Sequence, residues 1–520
     1  MFDILICGAL IVDGSGSEGY IGDVGVEGGK ISAVGRLGGA AAVEVIEAEG
    51  RCLTPGFIDI HRHADAALFR HDWGRAELAQ GLTTIINGNC GLSLAPVCGA
   101  HAVEIQRYLS PIVGELPEGR EFPSMASYQA QAREAAPPVN TFMLAGMGTI
   151  RACAAGFSDF PLTAEQYARV HRLLEESLAG GAIGVSLGLG YAPECFYDTE
   201  GLIRALEPLR GSSTVVTVHM RQEGDGVVDA LREMLAVARE LRMPLEISHL
   251  KAIGRRNWRK SVPEMLRLIG EARQDGLDIM CDVYPYPAGS TQLIHVLPPE
   301  YQAGGTEALT AALLDPLTRE RMRKRMETGS DFENISLLVG FENIRATSLH
   351  RPENLEFEGR SIAEIAASKG SSDFDALFDL LASEHCAVSM IDFIADEEDI
   401  CDILRAPFSG VISDATYPAS GLLHPRVYGT YPRLFERYVL GKGVLSLPEA
   451  VRKVTRQPAD RFGLRTKGRI EPGADADLCL FDPSALRERD SYEHPETLAT
   501  GMDYVLVGGR PAIAEARFTF

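Results

Sequence analysis

Two histidines spaced two residues apart are the first residues along the chain that could do chemistry. They end the stretch LTPGFIDIHRH at residues 53–63, which we interpret as a buried strand interrupted by Pro55 and Gly56. Side chains two positions apart on a strand point to the same side. His61 and His63 could therefore present two imidazoles to one metal ion. On their own, two such histidines could equally be ordinary core or surface residues.

Further metal-ligand types follow at the places where later strands are predicted to end. Cys90 lies in NGNCG, His219 in VHMR, His249 in ISHLK and Asp414 in ISDA. Each alone has a plainer interpretation: a hydrogen-bonded core histidine, a buried small cysteine, or an aspartate that caps a turn. Together with the first pair they make six imidazole, thiolate and carboxylate groups, which zinc accepts as ligands, and six suffice for two ions if one group bridges.

The middle of the chain alternates strands and helices, which is what would bring these residues together. Helix starts are indicated by capping boxes at Thr163–Gln166 and Ser261–Glu264. Alternation predicts parallel strand pairing. About eight units favour a (β/α)8 barrel, whose active sites lie at the carboxyl ends of its strands, over an open doubly wound sheet. No G-x-G-x-x-G follows a strand in this alternating part of the chain, which disfavours dinucleotide binding. The strands are predicted at 82–86, 141–144, 182–186, 215–218, 245–248, 279–283 and 410–413.

A chain of 520 residues is too long for one compact core. Both ends, 1–52 and 466–520, have the short strands and glycine turns of a β module, and they could pair into one sheet. We assign 53–440 to the barrel and 441–465 to its helical end. A segment near 285–347, rich in prolines and charges, interrupts the alternation. It could fold over the barrel mouth as a lid or be a solvated surface excursion.

Composition excludes several classes of protein. No apolar run is long enough to span a bilayer, and Met1–Ile6 has no basic leader, so we expect neither a membrane anchor nor a secretory signal. The net charge of −22 argues against nucleic acid or an anionic membrane as partner. The 10 cysteines show no paired framework, which indicates free thiols in the cytoplasm.

Eight stretches in order resemble the N-acyl-D-amino-acid deacylases (D-aminoacylases) of the amidohydrolase superfamily. The resemblance implies a (β/α)8 barrel with a β-sandwich built from both chain ends, and a centre of one or two Zn²⁺ ions. His61, His63 and Asp414 would form one metal site. Cys90, His219 and His249 would form the other, with Cys90 able to bridge. The stretches are TPGFIDIHRH, GNCGLSLAP, SLGLGYAP, HMRQE, EISHLKA, CDVYPYPAGST, ISDAT and HPRVYGTYPR.

One absence separates this chain from many members of the superfamily. Those members bridge their metals with a carboxylated lysine on a middle strand, but no lysine occurs here between Lys30 and Lys251. The Cys90 thiolate is the available substitute. The hydantoinase and dihydroorotase interpretations, which need that lysine, are therefore disfavoured.

The chemistry expected is zinc-dependent hydrolysis of N-acyl-D-amino acids. Zinc lowers the pKa of bound water toward ~7 and so supplies hydroxide. Asp414 would act as general base and then general acid. Lys251 directly follows a ligand strand and is the natural cation for the substrate carboxylate.

The resemblance adds Tyr191, Tyr284 and Ser290 to this carboxylate clamp, and the D preference rests on the resemblance as well. Relatives specific for D-glutamate or D-aspartate place an arginine beyond the clamp serine, and no arginine follows Ser290 closely here, so the resemblance implies neutral or hydrophobic D-amino-acid side chains. His295 could line the pocket or lie at the surface, and His424 and Arg426 could shape the site or anchor their loop; none of the three receives a catalytic role.

Two other functions remain open. A related metal hydrolase could act on dipeptides that end in a D-residue, or on another amide. A catalytically silent scaffold is disfavoured because such proteins lose ligands and all six are present; absence of bound metal would revive it. The expected partner is a small N-acyl amino acid, and the sequence leaves the oligomeric state open.

Overall fold

The computed structural model describes residues 1–520. Its strands form four sheets, and their positions agree with the predicted ones to within a few residues. In chain order they are β1 Phe2–Ile11, β2 Tyr20–Glu27, β3 Lys30–Gly35, β4 Ala42–Glu47, β5 Cys52–Pro55, β6 Phe57–Asp59, β7 Leu82–Asn87, β8 Asn140–Met143, β9 Ala145–Gly146, β10 Val185–Gly188, β11 Val216–His219, β12 Leu245–Ile247, β13 Ile279–Val283, β14 Ala288–Gln292, β15 Ile344–Thr347, β16 Ser389–Phe393, β17 Ser409–Val411, β18 Leu478–Phe481, β19 Met502–Val507, β20 Arg510–Ala514 and β21 Arg517–Phe518.

Parallel strands form a ring at the centre of the molecule. Their order is β6, β7, β8 with β9, β10, β11, β12, β13 and β17. Strands β8 and β9 are separated only by Leu144, whose N–H donates to the Asn87 carbonyl at 2.9 Å. The ring closes beyond β17, where Ala415 pairs in parallel with Arg62. This arrangement confirms the predicted (β/α)8 fold class.

Helices cover the outside of this ring. The capping box predicted at Thr163 is confirmed, because its side chain accepts from the Gln166 N–H. The cap predicted at Ser261 is wrong: Ser261 is already inside the helix, and its N–H donates to the Asn257 carbonyl at 3.1 Å. None of the helices has the length and hydropathy needed to cross a bilayer. The helices are α1 Arg75–Ala79, α2 Ala102–Val113, α3 Met125–Ala135, α4 Met147–Ala155, α5 Ala164–Ala179, α6 Thr199–Ala205, α7 Val227–Leu241, α8 Ser261–Gln274, α9 Gly305–Leu314, α10 Pro316–Thr328, α11 Ile335–Val339, α12 Ile362–Lys369, α13 Asp373–Ser383, α14 Glu397–Arg405, α15 Arg426–Arg433, α16 Leu447–Val454 and α17 Arg456–Arg461.

The two chain ends combine in one nine-stranded sheet, in the order β21-β20-β19-β18-β5-β1-β2-β3 with β4 beside β1. The stretch 53–63, predicted as a single strand, is divided at Gly56: β5 belongs to this outer sheet and β6 to the ring. A Cβ added at Gly56 would lie 2.2 Å from the Thr83 hydroxyl oxygen, so only glycine fits at the crossing. The division into 1–52, 53–440, 441–465 and 466–520 stays a prediction.

An excursion of residues 284–396 lies between β13 and α14, and the insertion predicted near 285–347 corresponds to its first part. It contains helices α9 to α13 and a small antiparallel sheet in the order β14-β16-β15. In this sheet Gly289 of β14 lies directly opposite Asp392 of β16. The excursion therefore brings residues from distant parts of the chain to the carboxyl ends of the ring strands.

A fully buried cation connects the first and last strands of the ring. The Arg62 guanidinium contacts the carboxylates of Asp59 at 3.3 Å and Glu77 at 2.8 Å, and its Nε lies 3.1 Å from the Tyr417 hydroxyl. Asp59 also accepts hydrogen bonds from Ser413, just beyond β17. Because each charge here is buried, each depends on its partners for the free energy lost on leaving water.

We predict that Arg62→Met lowers the free energy of unfolding by ~3–5 kcal/mol, because Asp59 and Glu77 would keep buried charges without a cation. Arg232→Met is the matched control: its side chain is 55% exposed and pairs with the 84% exposed Asp229, so its loss should change stability by under ~1 kcal/mol. Urea denaturation followed by circular dichroism measures both. Equal denaturation midpoints for the two variants would contradict the role given to Arg62.

Candidate metal centre and substrate cavity

Donor atoms from the first and last ring strands meet at one point. The Nε2 atom of His61 lies 3.2 Å from the Cys90 sulfur and 3.3 Å from Oδ1 of Asp414. The Nε2 atom of His63 lies 3.3 Å from the same Asp414 oxygen. All four residues are buried, and their donor atoms lie within 4.8 Å of one another.

A second group of donors adjoins the first and shares one member with it. The Cys90 sulfur lies 3.5 Å from Nε2 of His249, and Nδ1 of His219 lies 3.2 Å from that nitrogen. Cys90, His219 and His249 therefore form a buried group of their own. The structure brings all six residues predicted as ligands together, with the Cys90 sulfur common to both groups.

The donor set fits zinc. Tetrahedral zinc with bonds of ~2.0–2.3 Å to nitrogen, oxygen and sulfur needs donors about 3.3–3.6 Å apart. Burial lowers the pKa of His61 and of His219, which keeps both imidazoles neutral and their lone pairs available. Burial raises the pKa of the Cys90 thiol, so a thiolate at this position needs a cation beside it. A divalent metal ion would provide that cation.

Three of the six residues have the left-handed backbone conformation that side chains usually avoid. The φ angles are 55° for Cys90, 38° for His249 and 53° for Asp414. Such residues cost about 1–3 kcal/mol each and cluster at functional sites. The surrounding structure holds two of them, since the His249 N–H donates to the Asp282 carboxylate and the Asp414 N–H donates to the His61 carbonyl.

Glu223 orients the second donor group, although the sequence interpretation did not single it out. Its carboxylate lies 3.0 Å from Nδ1 of His249 and 3.9 Å from Nε2 of His219. Burial raises the pKa of Glu223, but Lys251 and the two histidines more than offset this, so the pKa lies below its usual range. A carboxylate that fixes the ring of a ligand histidine is a common support of metal sites. The available signal was its place in HMRQE, four residues after His219.

Arg426 holds the other side of Asp414. Its Nη1 atom lies 3.0 Å from Oδ2 of Asp414, and its side chain is fully buried. Burial raises the pKa of Asp414, but Arg426 and His61 more than offset this, so the carboxyl keeps a pKa well below its usual range. The sequence analysis expected Arg426 to shape the site or anchor its loop, without a catalytic role, and in the structure it contacts the predicted general base directly.

A cavity opens beside the donor groups, and the four predicted clamp residues Lys251, Tyr191, Tyr284 and Ser290 all line it. The Lys251 ammonium is already paired with Glu223 at 2.6 Å. The Tyr191 hydroxyl is hydrogen-bonded to Thr291 at 2.8 Å, and the Ser290 carbonyl accepts from Arg426 at 2.9 Å. The four predicted clamp residues therefore lie together, and the positive charge of Lys251 is partly balanced by Glu223.

The two histidines left without a role differ in position. His295 lines the cavity and pairs with Glu333 at 3.3 Å. His424 lies behind it, where its Nε2 is 3.0 Å from the Ala288 carbonyl and its Nδ1 accepts from the Arg426 N–H at 2.9 Å. His424 therefore positions Arg426 and the end of β14.

Known proteins resemble this chain over its whole length. The amidohydrolase family pattern matches residues 44–186 and 412–513. A D-aminoacylase of Alcaligenes xylosoxydans xylosoxydans is 34% identical over 520 residues, which is 100% of this chain and 96% of the relative.

Two solved structures are also similar to this chain over nearly its whole length. The crystal structure of the N-acyl-D-glutamate deacylase from Bordetella bronchiseptica, complexed with zinc and a phosphonate inhibitor that mimics the tetrahedral intermediate, has a TM-score of 0.84 at 30% identity, covering 99% of this chain and 98% of that one. A D-aminoacylase crystal structure has a TM-score of 0.82 at 32% identity, covering 100% and 98%.

We predict that His249→Ala weakens zinc binding at least ~10-fold, since loss even of a group that supports a ligand typically costs 10-fold to 100-fold in affinity. The matched control is His350→Ala, because the His350 side chain is 40% exposed and is not one of the six donors. Competition with a chromophoric chelator gives both affinities. The donor groups would not be a metal centre if the two variants bound zinc as the parent protein does.

Proposed function

We propose that this chain, which belongs to the N-acyl-D-amino-acid deacylase family of the amidohydrolase superfamily, hydrolyses the amide bond of N-acyl-D-amino acids to a carboxylate and a free D-amino acid. The observation that carries the proposal is the meeting of six buried donors around the shared Cys90 sulfur, at the floor of a cavity lined by Lys251. Relatives that match the chain from end to end bear the names of such deacylases.

His61, His63 and Asp414 would hold one zinc ion, and His219 and His249 a second, with Cys90 between them. Zinc, when bound, lowers the pKa of water toward ~7 and polarises a carbonyl group. The protein's own part is to keep His61 and His219 neutral by burial and to hold the rings of His249 and His219 through Glu223.

Asp414 is the proposed proton carrier. Its Oδ1 faces His61 and His63, while Arg426 holds Oδ2 at 3.0 Å. Its low pKa keeps it a carboxylate at neutral pH, ready to accept a proton from the attacking water. It then passes that proton to the leaving amide nitrogen, as a general base that becomes a general acid.

The substrate carboxylate would bind at the side of the cavity formed by Lys251, Tyr284 and Ser290, with Tyr191 closing the clamp. Glu223 balances much of the charge on Lys251, so a second cation is useful. Arg426 is the nearby candidate, although it is fully buried and already paired with Asp414: its guanidinium lies 4.8 Å from the centre of the Tyr284 ring, and the Lys251 ammonium lies 5.8 Å from that centre. Both cations thus lie over the Tyr284 ring of the clamp.

The excursion of residues 284–396 would act as the lid. It supplies Ser290, His295 and Glu333 to the cavity wall, so its position decides whether the substrate is enclosed. We also propose a cytoplasmic location, supported by the 10 cysteines, all of which are free thiols.

We predict that the zinc-loaded protein releases amine from N-acetyl-D-amino acids and not from their L-enantiomers, and that a chelator abolishes the release. Asp414→Asn should lower kcat by ~10²–10⁴-fold, because it removes the proton acceptor. The control Asp229→Asn changes a carboxylate that is 84% exposed and should leave kcat unchanged. Tight zinc binding with no hydrolysis of either enantiomer would reject the substrate while keeping the metal centre, and dipeptides ending in a D-residue would be tested next.

A further inference from the structure

One acidic side chain in the cavity has no partner. Asp392 of β16 lines the cavity, and only 3% of its surface is exposed. No donor in the protein makes a hydrogen bond or an ion pair with its carboxylate. A buried carboxylate without a partner carries a free-energy cost of desolvation that a ligand could remove.

The charged groups around Asp392 are each already engaged with another residue. The groups that act on it electrostatically are His295, Lys251, Arg426 and Glu333. His295 pairs with Glu333, Lys251 with Glu223, and Arg426 with Asp414. Asp392 is thus the acidic side chain of the cavity wall without a direct partner, while Glu223, Glu333 and Asp414 each have one.

The backbone opposite Asp392 carries no side chain that would cover its carboxylate. A Cβ added at Gly289 would lie 2.8 Å from Oδ1 of Asp392, 2.8 Å from Cδ1 of Ile394 and 3.4 Å from the Tyr284 hydroxyl. Glycine at this position therefore leaves the carboxylate uncovered on that side. The same cavity is also lined by the aliphatic side chains of Ile253, Ile335 and Ile394.

We propose that Asp392 selects substrates whose D-amino-acid side chain carries a positive charge, either an ammonium or a guanidinium group. The inference rests on the proposed deacylase function and specifies its substrate class. The methylene stem of such a side chain packs against the isoleucines while its charged end meets Asp392, as lysine and arginine side chains do at protein surfaces. This replaces the expectation of neutral or hydrophobic side chains, which rested only on the absence of an arginine after Ser290.

Two further properties agree with a cationic substrate. The net charge of −22 attracts cations to the protein as a whole. Burial raises the pKa of Asp392 to about 6, so the carboxyl is mostly ionised at pH 7 to 8, where it would meet the cation.

The test compares kcat/KM of the zinc-loaded full-length protein on three substrates: Nα-acetyl-D-lysine, N-acetyl-D-norleucine, which has a similar shape without charge, and N-acetyl-D-glutamate. We expect the lysine substrate to be preferred at least ~10-fold over norleucine. Asp392→Asn should lower kcat/KM for the lysine substrate by ~10-fold to 100-fold, because a charged hydrogen bond is lost. The same variant should change the norleucine value by less than ~3-fold, since no charge is involved there.

Asp392→Glu keeps the charge and should retain part of the lysine preference. Glu398→Gln is the control for a general change in charge, because that side chain is 55% exposed and is not part of the cavity wall; it should leave the substrate ratio as it is. A parent protein that prefers norleucine, or an Asp392→Asn variant with an unchanged ratio, overturns the inference while the deacylase function stands. If none of the three D-substrates is hydrolysed, the proposed function itself has failed.

Discussion

Closure of the ring between its first and last strands is the contact on which the rest of the structure depends. The Asp414 N–H donates to the His61 carbonyl and the His63 N–H to the Ala415 carbonyl, both at 2.9 Å. Because of these bonds, Nε2 of His63 lies 3.3 Å from Oδ1 of Asp414, although the two residues are 351 positions apart in the sequence. Below them Arg62 and Asp59 join the same two strands inside the core. Without this closure one donor group would have no carboxylate, and the cavity would lack a floor.

The centre itself is unfavourable without a cation. Imidazole nitrogens, the Cys90 sulfur and an Asp414 oxygen lie only 3.2 to 3.5 Å apart, and three of the residues have the left-handed backbone conformation. The fold keeps this arrangement because long-range contacts determine it: Asp282 holds the backbone of His249, and Glu223 its ring. Strain and charge concentrated at one point are what a binding site for a metal ion requires.

The sequence allowed the ring strands and the six donors to be predicted because both depend on local pattern. Alternating elements define parallel pairing, and ligand types at strand ends then fall on one face of the barrel. Pro55 and Gly56 indicated an interruption of the stretch 53–63, but not that its two halves join different sheets, because that depends on the contact of Gly56 with Thr83 from another strand. The prediction of an N-cap at Ser261 was wrong for a local reason, because the turn before Ser261 already continues into the helix.

The residues that support the site could not be recognised in the sequence, because their partners come from elsewhere in the chain. Glu223 matters only when His219 and His249 lie side by side. Arg426 was visible in HPRVYGTYPR, but only the fold shows that it meets Asp414. Asp392 lies in a stretch without an evident pattern, and it enters the cavity because β16 pairs with β14 across the excursion. The roles given to these residues come from contacts that no spacing in the sequence could indicate.

The central claim is that the Cys90 sulfur takes part in a zinc centre together with histidines and Asp414. X-ray absorption at the zinc edge of the metal-loaded protein tests it most directly. The account predicts a sulfur neighbour at about 2.3 Å beside nitrogen and oxygen neighbours at about 2.0–2.2 Å, with the sulfur signal lost in Cys90→Ser. A spectrum with nitrogen and oxygen neighbours alone, unchanged by that substitution, would contradict it.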